Sequence, residues 1–292
     1  MRSVVVLSLL SVILLAGCAS KRVKEDQNIR GLTSYAPIKQ SPHVVRRDKS
    51  KIEFPETPKS SPLARGKLVV PTGNLAGRTI HAKSISDIRL RPGEVVLTFD
   101  DGPVPGKTKA ILNTLDNFGV KATFLMVGSM VNSYPKEVKA VVNRGHSIGS
   151  HTVDHANLAK VSFESARAKI RAGEKTIKSK TGFSSVPFFR FPYLASTPKL
   201  RNWLEQRGVV VLDVDIDSKD YFKDSPTTVA NRTIDRVKRN GSGIILFHDI
   251  HARTVAALPG FLQDLKAAGF KVVHLKGDTN KGERQLLVSN SS

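Results

Sequence analysis

The chain has 292 residues, 40% of them apolar, which is enough for a substantial core and too apolar for a disordered protein. Its single cysteine excludes an intrachain disulfide and any cysteine-based metal cage, so a bound metal would have to be held by histidines and carboxylates. The formal net charge of +21 favours a polyanionic partner such as an acidic polysaccharide, peptidoglycan or anionic lipid, with solubility alone as the plain alternative.

Arg2, an apolar run over 4–15 and small residues ahead of Cys18 have the layout of a secretion signal. The run is too short to span a bilayer comfortably. Leu15-Ala16-Gly17-Cys18 resembles the lipobox of bacterial lipoproteins. That implies removal of residues 1–17 and a lipid on Cys18, anchoring the chain to a membrane outside the cytoplasm. Ala19 carries no acidic retention signal, which favours the outer membrane in a host with two. Ordinary cleavage near residues 18–20 and an uncleaved anchor are the other readings. Nucleic acid is not expected as a partner, since no binding motif is present and the chain is exported. Residues 18–66 include Pro37, Pro42, Pro55, Pro58 and Pro62, and 19–66 hold 11 basic against 5 acidic residues. They read as a flexible basic tether with no regular structure.

From residue 67 short β-branched runs alternate with amphipathic segments, the pattern of an α/β domain with parallel strands. Strands are predicted over 94–98, 122–126, 147–150, 186–190, 209–213, 243–247 and 271–274. Helices are predicted over 107–118, 135–144, 163–181, 197–207, 226–239 and 254–268, several ending at a glycine suited to a left-handed cap: Gly119, Gly145, Gly182, Gly208 and Gly269. Polar residues collect just after the strands, which favours a seven-unit barrel over an open doubly wound sheet, although both place sites there.

Asp100 and Asp101 follow the first predicted strand and lead into Gly102-Pro103. Adjacent acids at a strand end point to metal or catalysis, and the same four residues are also good turn chemistry. After the third strand, His151 and His155 are four apart and share a face if the segment turns helically. Two histidines and one of the paired aspartates make three ligands with an open position, the arrangement of a catalytic metal site. Such a set suits zinc, with cobalt, nickel, iron and manganese also compatible. Arg190 ends the fourth strand, and Pro192 stiffens the turn so that a neighbouring backbone N–H can point into the site. Asp213, Asp215, Asp217 and Asp220 crowd the end of the fifth strand, and His248 follows the sixth. All converge on one mouth.

Thr98-Phe99-Asp100-Asp101-Gly102-Pro103, His151-x-x-x-His155, Arg190-x-Pro192-Tyr193, Asp217-x-x-Asp220 and Leu246-x-His248 occur in that order. Together they resemble the NodB-type polysaccharide deacetylases, carbohydrate esterase family four. The resemblance implies a single distorted (β/α)7 TIM-like barrel over 67–280, with 281–292 a tail. It implies that Asp101, His151 and His155 bind one divalent metal, zinc first, with cobalt, nickel or manganese as alternatives. Asp100 would be the general base, and Arg190 would orient it and keep it ionised. The backbone N–H of Tyr193 would hold the oxyanion, and His248 would protonate the leaving amine. Asp217 is the chosen residue to raise the His248 pKa, with Asp220 the fallback. Phe191 and Tyr221 depart from the family pattern at positions that line its groove.

The implied activity is hydrolytic N-deacetylation of an aminosugar polymer, foremost peptidoglycan N-acetylglucosamine or N-acetylmuramic acid, releasing acetate. Another N-acetylated polysaccharide, a chitooligosaccharide, or a different C–N bond on the same scaffold are the alternatives. A non-catalytic wall-binding protein would be expected to lack a ligand or the base. An iron oxygenase would leave Asp100, Arg190 and His248 without roles.

Overall fold

The computed structural model describes residues 73–277. The expected signal segment, the lipid site at Cys18, the tether over 18–66 and the tail over 281–292 lie outside the described residues. Nine strands occur among the described residues: β1 (Ala76–His81), β2 (Glu94–Asp100), β3 (Thr123–Met126), β4 (Ser147–Ser150), β5 (Phe188–Phe189), β6 (Val210–Val211), β7 (Ile216–Asp217), β8 (Gly243–His248) and β9 (Lys271–Lys276). The helices are α1 (Lys107–Asn117), α2 (Gly128–Ser133), α3 (Pro135–Asn143), α4 (Phe163–Thr181), α5 (Pro198–Glu205), α6 (Pro226–Asn240) and α7 (Ala252–Ala267).

The strands pair in parallel. From β2 the wall runs one way through β3, β4 and β5 to β6, and the other way through β8 to β7. No ladder joins β6 to β7 among the described residues, so the barrel is distorted by a gap there. β9 pairs with β2 only at Glu94 and Val95 and carries β1 on its outer side.

All seven predicted strands and all six predicted helices are present, but β1, β7 and α2 are additional. β1 (AGRTIH) alternates exposed residues with half-buried ones and the buried Ile80, and it pairs only with β9, so it lacks the apolar run of a central strand. β7 lies in a stretch where Asp213, Asp215 and Asp217 interrupt any apolar run, and α2 is only six residues long, too short for a helical period to show.

β2 is buried at every position, as a parallel strand covered on both faces requires. Its side chains alternate. Val95, Leu97 and Phe99 join the larger core beneath the helices, where Phe99 stacks between Phe124 and Phe247 at 5.1 and 5.8 Å. Val96 joins Leu125, Phe188, Val210 and Ile244 in a separate interior cluster. Thr98 and Asp100 share the parity of Val96, so the strand's period delivers the Asp100 carboxylate to the inside of the barrel at its C-terminal end.

The helices flanking the site start at designed caps. Ser162 accepts from Ser165 N–H at the start of α4, Thr197 from Leu200 N–H at α5, and Ser225 from Thr228 N–H at α6. Pro198 and Pro226 occupy first-turn positions where no N–H is missed. Each such cap contributes about 1 kcal/mol.

Candidate metal centre and active site

Asp101 leaves the strand with φ 79, and this reversal turns its carboxylate to the same mouth as Asp100. Its Oδ1 lies 3.2 Å from His155 Nε2 and 3.5 Å from His151 Nε2. The two histidines do not share a helix face. They are joined by a turn in which Thr152 and His155 have φ 68 and φ 56, and this folds the rings to a 4.9 Å centroid separation. The spacing of four thus works through left-handed backbone rather than through the helical period.

Two features outside the predicted motifs hold that turn. The first amides of α2 donate to it, Gly128 N–H to Thr152 O at 2.9 Å and Ser129 N–H to Val153 O at 2.8 Å. Gly173, in the middle of α4, lets that helix press on the turn: a Cβ there would meet Thr152 C at 2.7 Å and Thr152 O at 2.8 Å. A glycine inside a helical pattern is the signal that sequence carries for such close approach.

Whether these residues suit a metal can be judged from their own atoms. Asp101 Oδ1 is buried with no hydrogen-bond partner, which costs free energy unless something else satisfies it. His151 Nδ1 donates to Arg190 O at 2.8 Å, so its Nε2 lone pair is left facing Asp101. Burial holds the His151 pKa below its usual value, outweighing the raising effect of Asp100 and Asp101, and a neutral imidazole is the ligating form. Donor separations of 3.2 and 3.5 Å match those around a tetrahedral ion with bonds of about 2.1 Å. Asp101, His151 and His155 therefore fit a divalent metal.

Asp100 stands beside this trio, its Oδ2 3.8 Å from His151 Nε2. Arg190, 0% exposed, donates from Nη1 to Asp100 Oδ1 at 2.7 Å and to Thr98 Oγ1 at 2.8 Å. Its Nε donates to Leu212 O at 3.0 Å. Its Nη2 donates to Asp213 O at 3.3 Å, and the guanidinium so held restrains one carboxylate oxygen of Asp100, which also lines the cleft.

His248 closes the opposite side, with Nε2 4.0 Å from Asp101 Oδ2. Asp220, not Asp217, is the carboxylate against its ring: Asp220 Oδ1 is 2.7 Å from His248 Nδ1. Asp217 instead accepts from Tyr221 OH at 2.8 Å and from Lys219 N–H at 2.8 Å. The reason is local geometry. Asp217 lies in β7 and is taken up by its own turn, whereas Lys219, at φ 54, redirects the chain so that the next residue enters the core. Burial pushes the His248 imidazolium down, but the hydrogen bond and charge of Asp220 outweigh it and hold the pKa up to about 9.

Tyr193 takes φ 59 and ψ 13 in the turn after Pro192, and its ring and that of His155 meet edge-on with centroids 4.7 Å apart. With Phe191, Leu194 and Tyr221 it lines a cleft of about 470 Å³ that also reaches Asp100, Asp101, His151, His155 and His248. The two departures from the family pattern, Phe191 and Tyr221, both line this cleft. Asp213 and Asp215 do not. Asp213 pairs with Arg201 and Asp215 accepts from Ile244 N–H, both beside a different cavity.

Asp249, unassigned from sequence, is buried and accepts from Thr108 Oγ1 at 2.6 Å. Its carboxylate fills the space a Cβ on residue 102 would need, with both oxygens 2.1 Å from that position. Glycine at 102 is thus required for the loop carrying Asp100 and Asp101 to sit against β8.

Fold and site together define an α/β barrel with a candidate metal-binding triad and an adjoining carboxylate at the C-terminal ends of its strands. A polysaccharide deacetylase family model matches residues 87–212. The chain is 31% identical over 190 residues to a chitooligosaccharide deacetylase of Azorhizobium caulinodans, covering 60% of this chain and 90% of that protein. It is 33% identical over 179 residues to peptidoglycan-N-acetylglucosamine deacetylase PgdA of Listeria monocytogenes, covering 61% of this chain but only 37% of that longer protein. Among solved structures, the Bdellovibrio bacteriovorus peptidoglycan deacetylase Bd3279 aligns with a TM-score of 0.61 and 32% identity, over 71% of this chain and 57% of that one. The chain belongs to the NodB-type polysaccharide deacetylases, carbohydrate esterase family four.

Proposed function

We propose that the chain is a metal-dependent N-deacetylase of an aminosugar polymer, acting outside the cytoplasm on peptidoglycan N-acetylglucosamine or N-acetylmuramic acid and releasing acetate. The observation that carries this reading is the pairing of two separately held carboxylates. Asp101 faces two imidazoles, while Asp100 is clamped at one oxygen by Arg190 and free at the other.

In this reading Asp101, His151 and His155 hold one divalent ion, zinc fitting best, which when bound polarises the amide carbonyl and acidifies water. Asp100 Oδ2 takes the proton of the attacking water. The backbone N–H of Tyr193 donates to the oxygen on which charge develops. His248 Nε2 gives its proton to the amide nitrogen as the C–N bond breaks, so the products are acetate and a free amine. A positioned general acid of this kind contributes about 10²–10⁴-fold. Asp220 keeps His248 protonated, and Arg190 holds Asp100 in place.

The Listeria relative's name supports the peptidoglycan substrate, and the Azorhizobium relative's name keeps chitooligosaccharides as a second reading. Purified chain with zinc should release acetate from peptidoglycan and lose that release on Asp100→Asn. Release from chitooligosaccharides with none from peptidoglycan would shift the substrate, and release from neither would defeat the proposal.

Export and a lipid on Cys18 complete the reading, with residues 18–66 as the tether that carries the domain to its polymer. No helix among the described residues is long and apolar enough to cross a membrane. Cys18→Ser should abolish incorporation of a labelled fatty acid and release the chain from the membrane fraction.

A further inference from the structure

Trp203, the chain's one tryptophan, lies half-buried where α5 packs on α4. Three arginines surround its ring: Arg207 at 4.4 Å, Arg167 at 5.3 Å and Arg171 at 5.5 Å. One turn nearer the start of both helices, Lys199 lies 4.2 Å and Arg167 5.4 Å from the ring of Phe163. Cations and rings thus alternate down the α4/α5 groove, since residues four apart stack on one helix face.

This charge is only partly compensated. Arg167 pairs with Glu164 and Arg207 with Glu174. Arg171 and Lys199 are exposed and meet aromatic rings but no carboxylate among the described residues. α4 as a whole carries six basic residues against two acidic ones. Packing such uncompensated cations together costs self-repulsion, which a bound polyanion removes.

The groove also leads from the cleft. α5 begins at Pro198, four residues past Leu194 of the Pro192–Leu194 turn, where Tyr193 and Leu194 line the cleft. α4 begins at Phe163, eight residues past His155 and after a short turn at Leu158–Lys160. Beneath both helices Phe191, Leu200, Leu204 and Ile170 form one small core, and Phe191 is also a wall of the cleft. Phe163 and Lys199 lie in the first turns of these helices and Arg171 and Trp203 further along them.

We propose that this groove is an accessory subsite for the stem-peptide carboxylates of a peptidoglycan strand whose aminosugar occupies the cleft. Guanidinium and ammonium groups pair with the carboxylates, and the ring edges pack against the stems' apolar atoms. Joining two weak sites on one polymer raises the affinity of both. The inference rests on the peptidoglycan reading above and specifies which part of that polymer is recognised.

The test is binding of the full zinc-loaded chain to intact peptidoglycan, by sedimentation, and to the soluble glycan strands freed of stem peptides by an amidase, by titration calorimetry. Arg171→Glu/Lys199→Glu should weaken binding to intact peptidoglycan about tenfold at low ionic strength, an effect that added salt shrinks. Binding to peptide-free strands should be the same for both chains. Arg171→Gln/Lys199→Gln, which introduces no new charge, should give a smaller loss in the same direction and guards against misfolding. Equal losses on both polymers, or no loss on either, overturn the subsite. So does a variant that keeps its peptidoglycan binding and instead loses binding to vesicles containing phosphatidylglycerol, which would make the groove a membrane contact. Acetate release by the unaltered chain is measured in parallel. Peptide-dependent binding without acetate release would sink the deacetylase reading and leave the subsite standing.

Discussion

Asp220 holds His248 at two points: its Oδ1 is 2.7 Å from the ring Nδ1, and its Oδ2 accepts from the His248 backbone N–H at 2.8 Å and from Thr254 Oγ1 at 2.6 Å. With the imidazolium held up to about 9, the acid form persists through neutral pH. The alkaline limb of kcat/KM should therefore fall near pH 9, and Asp220→Asn should move it down toward the usual 6.5. The same pair is linked to stability. Because the His248 pKa is raised, its contribution is complete below 6.5 and is lost as pH rises through about 9. The lowered Asp220 carboxyl contributes above 3.8 and is lost as pH falls. Asp217→Asn should leave the alkaline limb in place. An Asp220→Asn profile superimposable on that of the unaltered chain would refute the assignment.

Arg190 and Asp100 form a buried pair, with side chains only 1% and 3% exposed. Removing one partner leaves the other charge stranded, so Arg190→Met should cost about 3–5 kcal/mol in denaturant unfolding. Arg190→Lys keeps the charge but not the planar fork that reaches Asp100, Thr98 and Leu212 together. It should cost less stability while lowering kcat about 10²-fold, the effect of a base misplaced by about 1 Å. Equal kcat in the Lys variant and the unaltered chain would remove Arg190 as a positioning residue.

Zinc should stabilise the domain by binding only its folded form, by about 4 kcal/mol when zinc exceeds its Kd a thousandfold. Asp101→Ala, His151→Ala and His155→Ala should each remove most of that increment in a thermal melt. Chelator should abolish acetate release, and zinc or cobalt should restore it. An increment that survives Asp101→Ala would place the metal elsewhere.

Gly173→Ala tests the packing behind the histidine turn. Alanine favours a helix interior by about 1 kcal/mol, but here its Cβ would lie 2.7 Å from the Thr152 carbonyl carbon. A net loss of about 1–3 kcal/mol is expected from that overpacking, together with weaker zinc binding as the turn is displaced. Gly260→Ala in α7, where nothing lies within 4 Å of the added atom, should instead stabilise. Titration calorimetry and thermal melts on both variants separate helix propensity from the clash.

The sequence by itself determined which polar groups gather at the cleft and in what order along the chain. Asp100, Asp101, His151, His155, Arg190 and His248 were legible because parallel strands put their C-terminal ends on one mouth, although Asp213 and Asp215, at the end of β6, turn instead to a different cavity. The seven principal strands were legible as short apolar or β-branched runs and the six helices as amphipathic segments between them, since a parallel strand is covered on both faces and a helix on one. Only the tertiary structure decided what depends on backbone direction and on contacts between distant segments. It set Asp220 rather than Asp217 against His248, because a left-handed Lys219 redirects the chain. It brought His151 to His155 through a turn that α2 and Gly173 support from outside the motif. It fitted the Asp249 carboxylate over Gly102, and it aligned Phe163 and Trp203 with Lys199 and Arg171. None of these leaves a periodic trace in one dimension, because each is a fit between surfaces rather than a repeat along the chain.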